Sequence, residues 1–399
     1  MPWREMSPMD QRVQFVTEFR SGLFTMTELV AQYGISRKTG YKWVDRYEVD
    51  GVTGLTDRSR RPHQSPLATD AEVVTAVIAL RKRHPRWGAK KLLAVLRRRE
   101  PATDWPSRSA VCGLLTRAGL ITPRTRRTTT PRAAPSTLTP ITESNATWTI
   151  DFKGQFRTGD GIYCYPLTLR DGWSRLVLRC DAMLAPTYEG TRRRCERAFA
   201  AYGLPLRIRS DNGGPFAAPG VTRLSRLAVW WMRLGIVPER ITPGHPEQNG
   251  SHEQFHAVLK AGTARPPAPN ARAQQQRFVR FCREYNQERP HEALQDRPPA
   301  TCYTPSPRPL PPKLPELEYP GHMETRRVSS VGAFSWNDCP VFLSEALVGE
   351  HIGFEEVDDG VWTVYFASVA IARLDERQKR IHRLAAFTTG RSPTPSARA

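Results

Sequence analysis

Trp148-Thr149-Ile150-Asp151-Phe152-Lys153-Gly154 is the stretch whose reading decides the fold. Trp148, Ile150 and Phe152 alternate with Thr149, Asp151 and Lys153, the period of two expected of a strand. Asp151 therefore points away from the most apolar face. Working outward, residues 162–169 and 175–180 read as further strands. Asp171-Gly172 gives a hairpin turn signal between them. Residues 187–202 read as a helix ended by Gly203, and 206–209 as a fourth, short strand. Asp211 follows that strand in Arg209-Ser210-Asp211-Asn212-Gly213-Gly214. Open α/β sheets place ligand-binding groups just past their strand ends. The glycines leave the approach to Asp211 free of side-chain bulk.

A helix near 222–234 and a fifth strand at 235–238 come next. The loop 242–250 then leads into a helix over 251–260. On it Glu253, His256, Ala257 and Lys260 fall at i, i+3, i+4 and i+7, one face by spacing. Phe255, Val258 and Leu259 are left to pack. Three carboxylates gathered without a cation would repel and raise one another's pKa. Two Mg²⁺ ions about 4 Å apart would remove that repulsion and clamp both oxygens of an in-line phosphoryl displacement. A sparse all-oxygen site suits Mg²⁺, with Mn²⁺ as a substitute, better than Zn²⁺. The expected roles are Asp151 bridging the ions, Asp211 and Glu253 completing one each, Lys260 on a phosphate, and His256 either on DNA or packed as a helix histidine. Glu247 competes with Glu253 for the third position, but it sits in a Pro/Gly loop rather than on the helix. Asp160, Asp171 and Asp181, in turns or at strand ends, read as structural.

The rest of the chain points to a polyanion. Lys and Arg number 59 against 39 Asp and Glu, a net charge of +20. Residues 1–140 carry 25 of those bases and only 12 of the acids. The first 60 residues hold helix-turn-helix signals. Ser7-Pro8-Met9-Asp10 offers an N-cap and a proline at the first helical position. Thr25-Met26-Thr27-Glu28 has the form of a capping box. After Tyr33-Gly34, a third helix from Arg37 to about Glu48 would turn Tyr41, Val44 and Tyr47 inward. Such a helix enters the major groove by its N-terminal end, which makes Arg37, Lys38 and Lys42 the candidate contacts. A second unit follows, with Lys90 and Lys91 opening a basic amphipathic helix and Pro106-Ser107-Arg108-Ser109 capping another.

The expected organisation is a helix-turn-helix domain over 1–60, a second over 61–120, a linker over 121–145 and a catalytic core over 146–302. A proline-rich linker over 303–322, a β module over 323–386 and a disordered tail over 387–399 complete it. Seven scattered cysteines without a Cys-x-x-Cys fit a reducing cytoplasm. No apolar run is long enough to span a membrane, and no signal peptide opens the chain. The expected location is the bacterial cytoplasm, on the nucleoid.

These motifs resemble the DDE transposases of bacterial insertion sequences that share the retroviral-integrase catalytic core. The match lies in W-T-I-D-F-K-G at 148–154, R-S-D-N-G-G-P-F at 209–216 and H-P-E-Q-N-G-S-H-E-Q-F-H-A-V-L-K at 245–260. It continues in Y-N-Q-E-R-P-H-E-A-L at 285–294, with Pro299 and Tyr303 beyond. The resemblance implies an RNase H-like core in a multidomain α/β protein with a small C-terminal SH3-like β-barrel. It also implies Glu253 rather than Glu247 as the third acid. The long interval from Asp211 to Glu253 implies an insertion near 217–230. Where the family has a lysine one turn after the glutamate, this chain has Ala257, leaving Lys260 alone in that role. The implied function is binding of terminal inverted repeats in double-stranded DNA, then metal-dependent strand cleavage and transfer, by at least a dimer. The alternatives are a catalytically inactive DNA-binding regulator and an RNase H-like nuclease; the acidic triad weighs against the first, the tandem helix-turn-helix units against the second.

Overall fold

The computed structural model describes residues 6–59, 69–121, 138–242 and 245–389. Most of the expected linker over 121–145, and residues 390–399 of the expected tail, lie outside the described residues. The chain divides into two compact units, residues 1–70 and 71–399.

The first unit is three helices, α1 (Pro8–Arg20), α2 (Met26–Gln32) and α3 (Arg37–Asp50). Ser7 and Thr25 cap the first two through reciprocal capping boxes with Asp10 and Glu28, and Ser36 caps the third. Phe15, Val16, Leu29, Val30, Trp43, Val44 and Leu55 form the core. Tyr41 is exposed rather than turned inward as the spacing suggests; Trp43 holds the buried position. Arg37 and Lys38 stand exposed in the first turn of α3, and Lys42 lies over the Trp43 ring at 4.0 Å.

The second unit opens with α4 (Ala71–Arg83), α5 (Ala89–Arg99) and α6 (Arg108–Arg117), the last capped by Ser107. Their own core includes Val77, Trp87, Leu92, Val95 and Val111.

The central sheet then follows. It contains β1 (Thr147–Phe152), β2 (Phe156–Arg157), β3 (Tyr163–Asp171), β4 (Val177–Met183), α7 (Tyr188–Tyr202), β5 (Arg207–Ser210), α8 (Arg226–Arg233) and β6 (Val237–Arg240). Strand β3 pairs antiparallel with β1, β2 and β4, while β1, β5 and β6 run parallel. Helices α9 (Gly250–Thr263) and α10 (Ala271–Gln287) close the core. Trp148 and Ile150 bury into the layer shared with α7 and α8. Thr149 and Asp151 take the opposite face, toward α9, as alternation along a strand requires.

The last part holds β7 (Glu324–Arg327), β8 (Ala333–Trp336), β9 (Cys339–Phe342), β10 (His351–Asp358), β11 (Val361–Phe366), β12 (Val369–Asp375) and β13 (Arg380–Thr389). They form an open five-stranded sheet, β13-β12-β11-β10-β7, with β8-β9 as a separate hairpin. The C-terminal sheet is present, but among the described residues no pairing joins β7 to β13, and a closed SH3-like barrel is not confirmed. The proline-rich stretch over 303–322 is not a free spacer. Ser306 N–H donates to the Tyr202 carbonyl, and the Arg308 guanidinium donates to the carbonyls of Pro205, Leu234 and Gly235.

Helix α8 connects the parallel neighbours β5 and β6, within the interval between Asp211 and Glu253. It is apolar all round, with Leu227 to Met232 buried without a break. Leu227, Trp230 and Trp231 pack into the core under the central sheet. Ala228, Val229 and Met232 pack with Phe334, Trp336 and Phe354 of the C-terminal strands. A helix apolar on every side has two partners to cover it.

Candidate active site

Two of the three carboxylates meet because of strand register. Strands β1 and β5 are parallel neighbours, with Thr147 opposite Arg207 and Thr149 opposite Arg209. Carrying that register two residues on brings Asp151 level with Asp211. The third comes from α9, whose Phe255 and Leu259 bury against Cys164, Val177, Phe278 and Tyr285. That packing holds the first turn of α9, with Glu253 exposed on it, over the edge of β1.

The electrostatics record the convergence. Burial, repulsion from Asp211 and a smaller repulsion from Glu253 push Asp151 up to about 7, against lowering by the Phe152 N–H and Lys153. Burial also raises Asp211, partly offset by the Gly213 N–H, which donates to its Oδ1 at 3.2 Å. Asn249 donates from Nδ2 to Asp151 Oδ2 at 3.4 Å, a weak support from the loop before α9. Glu247, the rival third acid, has a side chain outside the described residues.

A polar cluster lies beneath Asp151. The Thr168 hydroxyl contacts the Asp151 carbonyl at 3.1 Å, His252 Nε2 at 2.6 Å and His256 Nε2 at 2.7 Å. The other nitrogen of His252, Nδ1, lies 2.9 Å from the Thr149 hydroxyl. His256 Nδ1 lies 3.6 Å from Asp151 Oδ2. Burial, then the cations Lys153 and Arg170, hold His256 down at about 3, so its ring is neutral. Burial, His256 and Arg170 push His252 well below its ordinary value too.

Of the two readings of His256, on DNA or packed within the helix, its burial matches the second. It is only 4 % exposed and turns inward with His252, Phe255 and Leu259. Four residues separate His252 from His256, so both fall on the buried stripe of α9. That spacing was the available signal for the pair; nothing local marked Thr168, which β3 supplies across the sheet.

Lys260 is exposed and lines a small cleft with Lys153, Gly154, Gln155 and Phe156. Lys90 is partly exposed but ion-paired, and Lys91 is largely buried. Lys90 pairs with Glu292 at 2.9 Å and Asp296 at 3.7 Å. Burial, then the neighbouring Arg289, lower Lys91 to about 8. The acids Glu284, Glu288, Glu292 and Asp296 at the end of the core draw this basic helix in. His84 Nδ1 meets Glu284 at 2.8 Å, and Arg83 meets Glu288 at 3.2 Å.

The donor set fits a divalent cation. Three carboxylates interact at one sheet edge, and the most buried of them has its charge opposed by the other two. A bound cation reverses that penalty.

Comparison with known proteins gives matches along most of the chain. Family models match a helix-turn-helix domain at 11–63, a homeodomain-like domain at 39–115 and an integrase core domain at 141–246 and again at 234–299. The C-terminal domain of IS481 family transposases matches 323–382. An uncharacterized 39.2 kDa protein of insertion element IS476 from Xanthomonas euvesicatoria is 25% identical over 253 residues, 62% of this chain and 69% of that protein. The integrase catalytic core domain of HTLV-2 in complex with magnesium is similar at 15% identity and a TM-score of 0.33, over 41% of this chain and 98% of that one. A chain of the simian T-cell lymphotropic virus intasome is similar at 14% identity and a TM-score of 0.36, over 80% of this chain and all of that one.

The class is that of the DDE polynucleotidyl transferases with an integrase-type, RNase H-like core. Within it, this chain is a transposase of the insertion-element family, carrying helix-turn-helix DNA-binding domains ahead of the core. Divalent-metal use goes with such a core. Among the described residues no helix is long and apolar enough to cross a membrane.

Proposed function

We propose that this transposase binds the terminal inverted repeats of its own element and cuts and joins DNA strands at Asp151, Asp211 and Glu253. The observation that carries the reading is the raised carboxyl of Asp151, pushed up first by burial, then by Asp211 and least by Glu253. Asp151, Asp211 and Glu253 are the residues that would hold two Mg²⁺ ions. Bound there, the metal supplies the charge that activates the attacking oxygen and stabilises the leaving one. Lys260, with Lys153 beside it in the cleft, seats a phosphate of the strand. Exposed Arg37 and Lys38 contact DNA from the start of α3.

Water and a freed 3′-OH are equivalent nucleophiles at such a site, so one set of residues serves both cleavage and joining. No covalent enzyme intermediate is required. Two element ends must be held together, so the working form is at least a dimer. The protein acts in the bacterial cytoplasm, on the nucleoid.

The test is Mg²⁺-dependent cleavage and strand joining on the DNA ends that flank the gene, comparing wild type, Glu253→Gln and Glu247→Gln. Joining by wild type and Glu247→Gln, with Glu253→Gln inactive, is the expected outcome. If Glu247→Gln alone were inactive, the third carboxylate would be reassigned. A wild type that binds these ends and never cuts them would make the chain a DNA-binding regulator instead.

A further inference from the structure

We infer that His256 is itself a metal ligand, its Nδ1 joining Asp151 on the side of the site that Glu253 completes. The inference rests on the carboxylate site proposed above and adds a nitrogen donor to it.

The two buried histidines of α9 differ in one respect. His252 has both ring nitrogens within hydrogen-bond distance of hydroxyls, Thr149 at 2.9 Å and Thr168 at 2.6 Å, so neither is left to bind an ion. His256 has one nitrogen held, Nε2 at 2.7 Å from Thr168. Its Nδ1 makes no hydrogen bond among the described residues and faces Asp151 Oδ2 at 3.6 Å. That distance is too long for a hydrogen bond. It suits two donor atoms about 2.1 Å from one shared ion.

Proton counting along the cluster agrees. The Thr168 hydroxyl has one hydrogen and two lone pairs. It cannot donate to both histidines, so at least one ring donates its Nε2–H to the oxygen. Where that ring is His256, its Nδ1 carries a lone pair directed at a carboxylate. Two facing acceptors are stable together only with a cation between them. An outer hydrogen bond that fixes the tautomer of a ligating imidazole is the usual support of such a ligand, and Thr168 occupies that position. Glu253 and His256 are i, i+3 neighbours on α9, so one helix turn presents the carboxylate and the imidazole together.

A nitrogen donor makes the site less purely magnesium-type, and Mn²⁺, which shares the oxygen donors of Mg²⁺, is the paramagnetic probe for it. The test uses the full chain, tag removed, loaded with Mn²⁺ and read by pulsed electron paramagnetic resonance. Wild type is expected to show coupling from a directly bound histidine nitrogen, which changes when histidine is labelled with ¹⁵N. His256→Asn is expected to lose that coupling and His252→Asn to keep it. Thr168→Val is expected to weaken Mn²⁺ binding about tenfold.

If Mn²⁺ binds wild type, is lost in Asp151→Asn, and shows no histidine nitrogen, His256 is not a ligand while the carboxylate site stands. If the coupling survives His256→Asn and vanishes in His252→Asn, the assignment to His256 is overturned. If wild type binds no Mn²⁺ at all, the carboxylate site itself fails. Should His256→Asn not fold, the ¹⁵N labelling of wild type together with His252→Asn still decides the question.

Discussion

Asp151 is the residue on which the chemistry and the stability of the core pull in opposite directions. Its carboxyl is pushed up to about 7 by burial and by Asp211, whereas an unfolded aspartate titrates near 3.8. The folded state therefore binds more protons than the unfolded state between those two values, and stability falls as pH rises through that window. The cost is absent below the unfolded value and fully present above about 7. Asp151→Asn should raise the melting temperature of the metal-free protein at pH 8, by about 1–3 kcal/mol of stability. It should change little at pH 3.5. Melts in a chelator at both values check this; an unchanged melt at pH 8 would mean the repulsion is not there. The same variant, like Asp211→Asn and Glu253→Gln, should lose strand joining by at least about a hundredfold while still retarding the element ends in a gel. Loss of DNA binding in all three would point to unfolding instead.

At the scale of the element, α3 and α5 differ in what surrounds their basic first turns. Arg37 and Lys38 stand free in the first turn of α3. Lys90 and Lys91 open α5 with a similar pattern, yet they face acids and arginines of the core. Arg37→Ala with Lys38→Ala should therefore weaken binding to the element ends and flatten its salt dependence by about two units of slope. Lys90→Ala should do neither; a salt titration of both variants settles the comparison. Helix α3 also depends on a close approach. A Cβ at Gly40 would lie 2.7 Å from Met26 Sδ and 2.9 Å from Val30 Cγ1. Gly40→Val should destabilise the first unit by about 1–3 kcal/mol through overpacking. Faster hydrogen exchange over residues 26–50 in the full chain would show it, and unchanged protection would contradict it.

For the molecule as a whole, α8 is the joint between the catalytic core and the C-terminal sheet. One side of the helix belongs to each, and Arg233 adds an ion pair to Glu350 at 3.2 Å and a hydrogen bond to the Pro315 carbonyl at 3.0 Å. A chain cut after residue 322 would leave Ala228, Val229 and Met232 uncovered. Exposed apolar patches of that kind drive association. The truncated protein should aggregate in light scattering where the full chain does not. A monodisperse, catalytically active truncation would show the C-terminal sheet to be an independent appendage.

Local chemistry made much of this legible beforehand. The caps at Ser7, Thr25, Ser36 and Ser107 are short-range hydrogen bonds written in adjacent residues. The alternation around Asp151 fixes which face of β1 the carboxylate takes, because strand geometry has a period of two whatever surrounds it. The family motifs around Asp151, Asp211 and Glu253 lie in single stretches for the same reason. What depended on distant partners could not be read this way. Spacing put His256 on the face of Glu253, but Thr168 and the core beneath draw it inward, since a wide apolar stripe includes the residues at its edge. The charges on Lys90 and Lys91 were visible, but the acids at 284–296 that meet them are some two hundred residues away. The packing of α8 against the C-terminal strands was likewise invisible beforehand, since Ala228 and Phe354 lie more than a hundred residues apart. Sequence determines the strands, the caps and the carboxylates; tertiary structure decides what each side chain faces, because burial and charge pairing are settled by whatever the fold brings alongside.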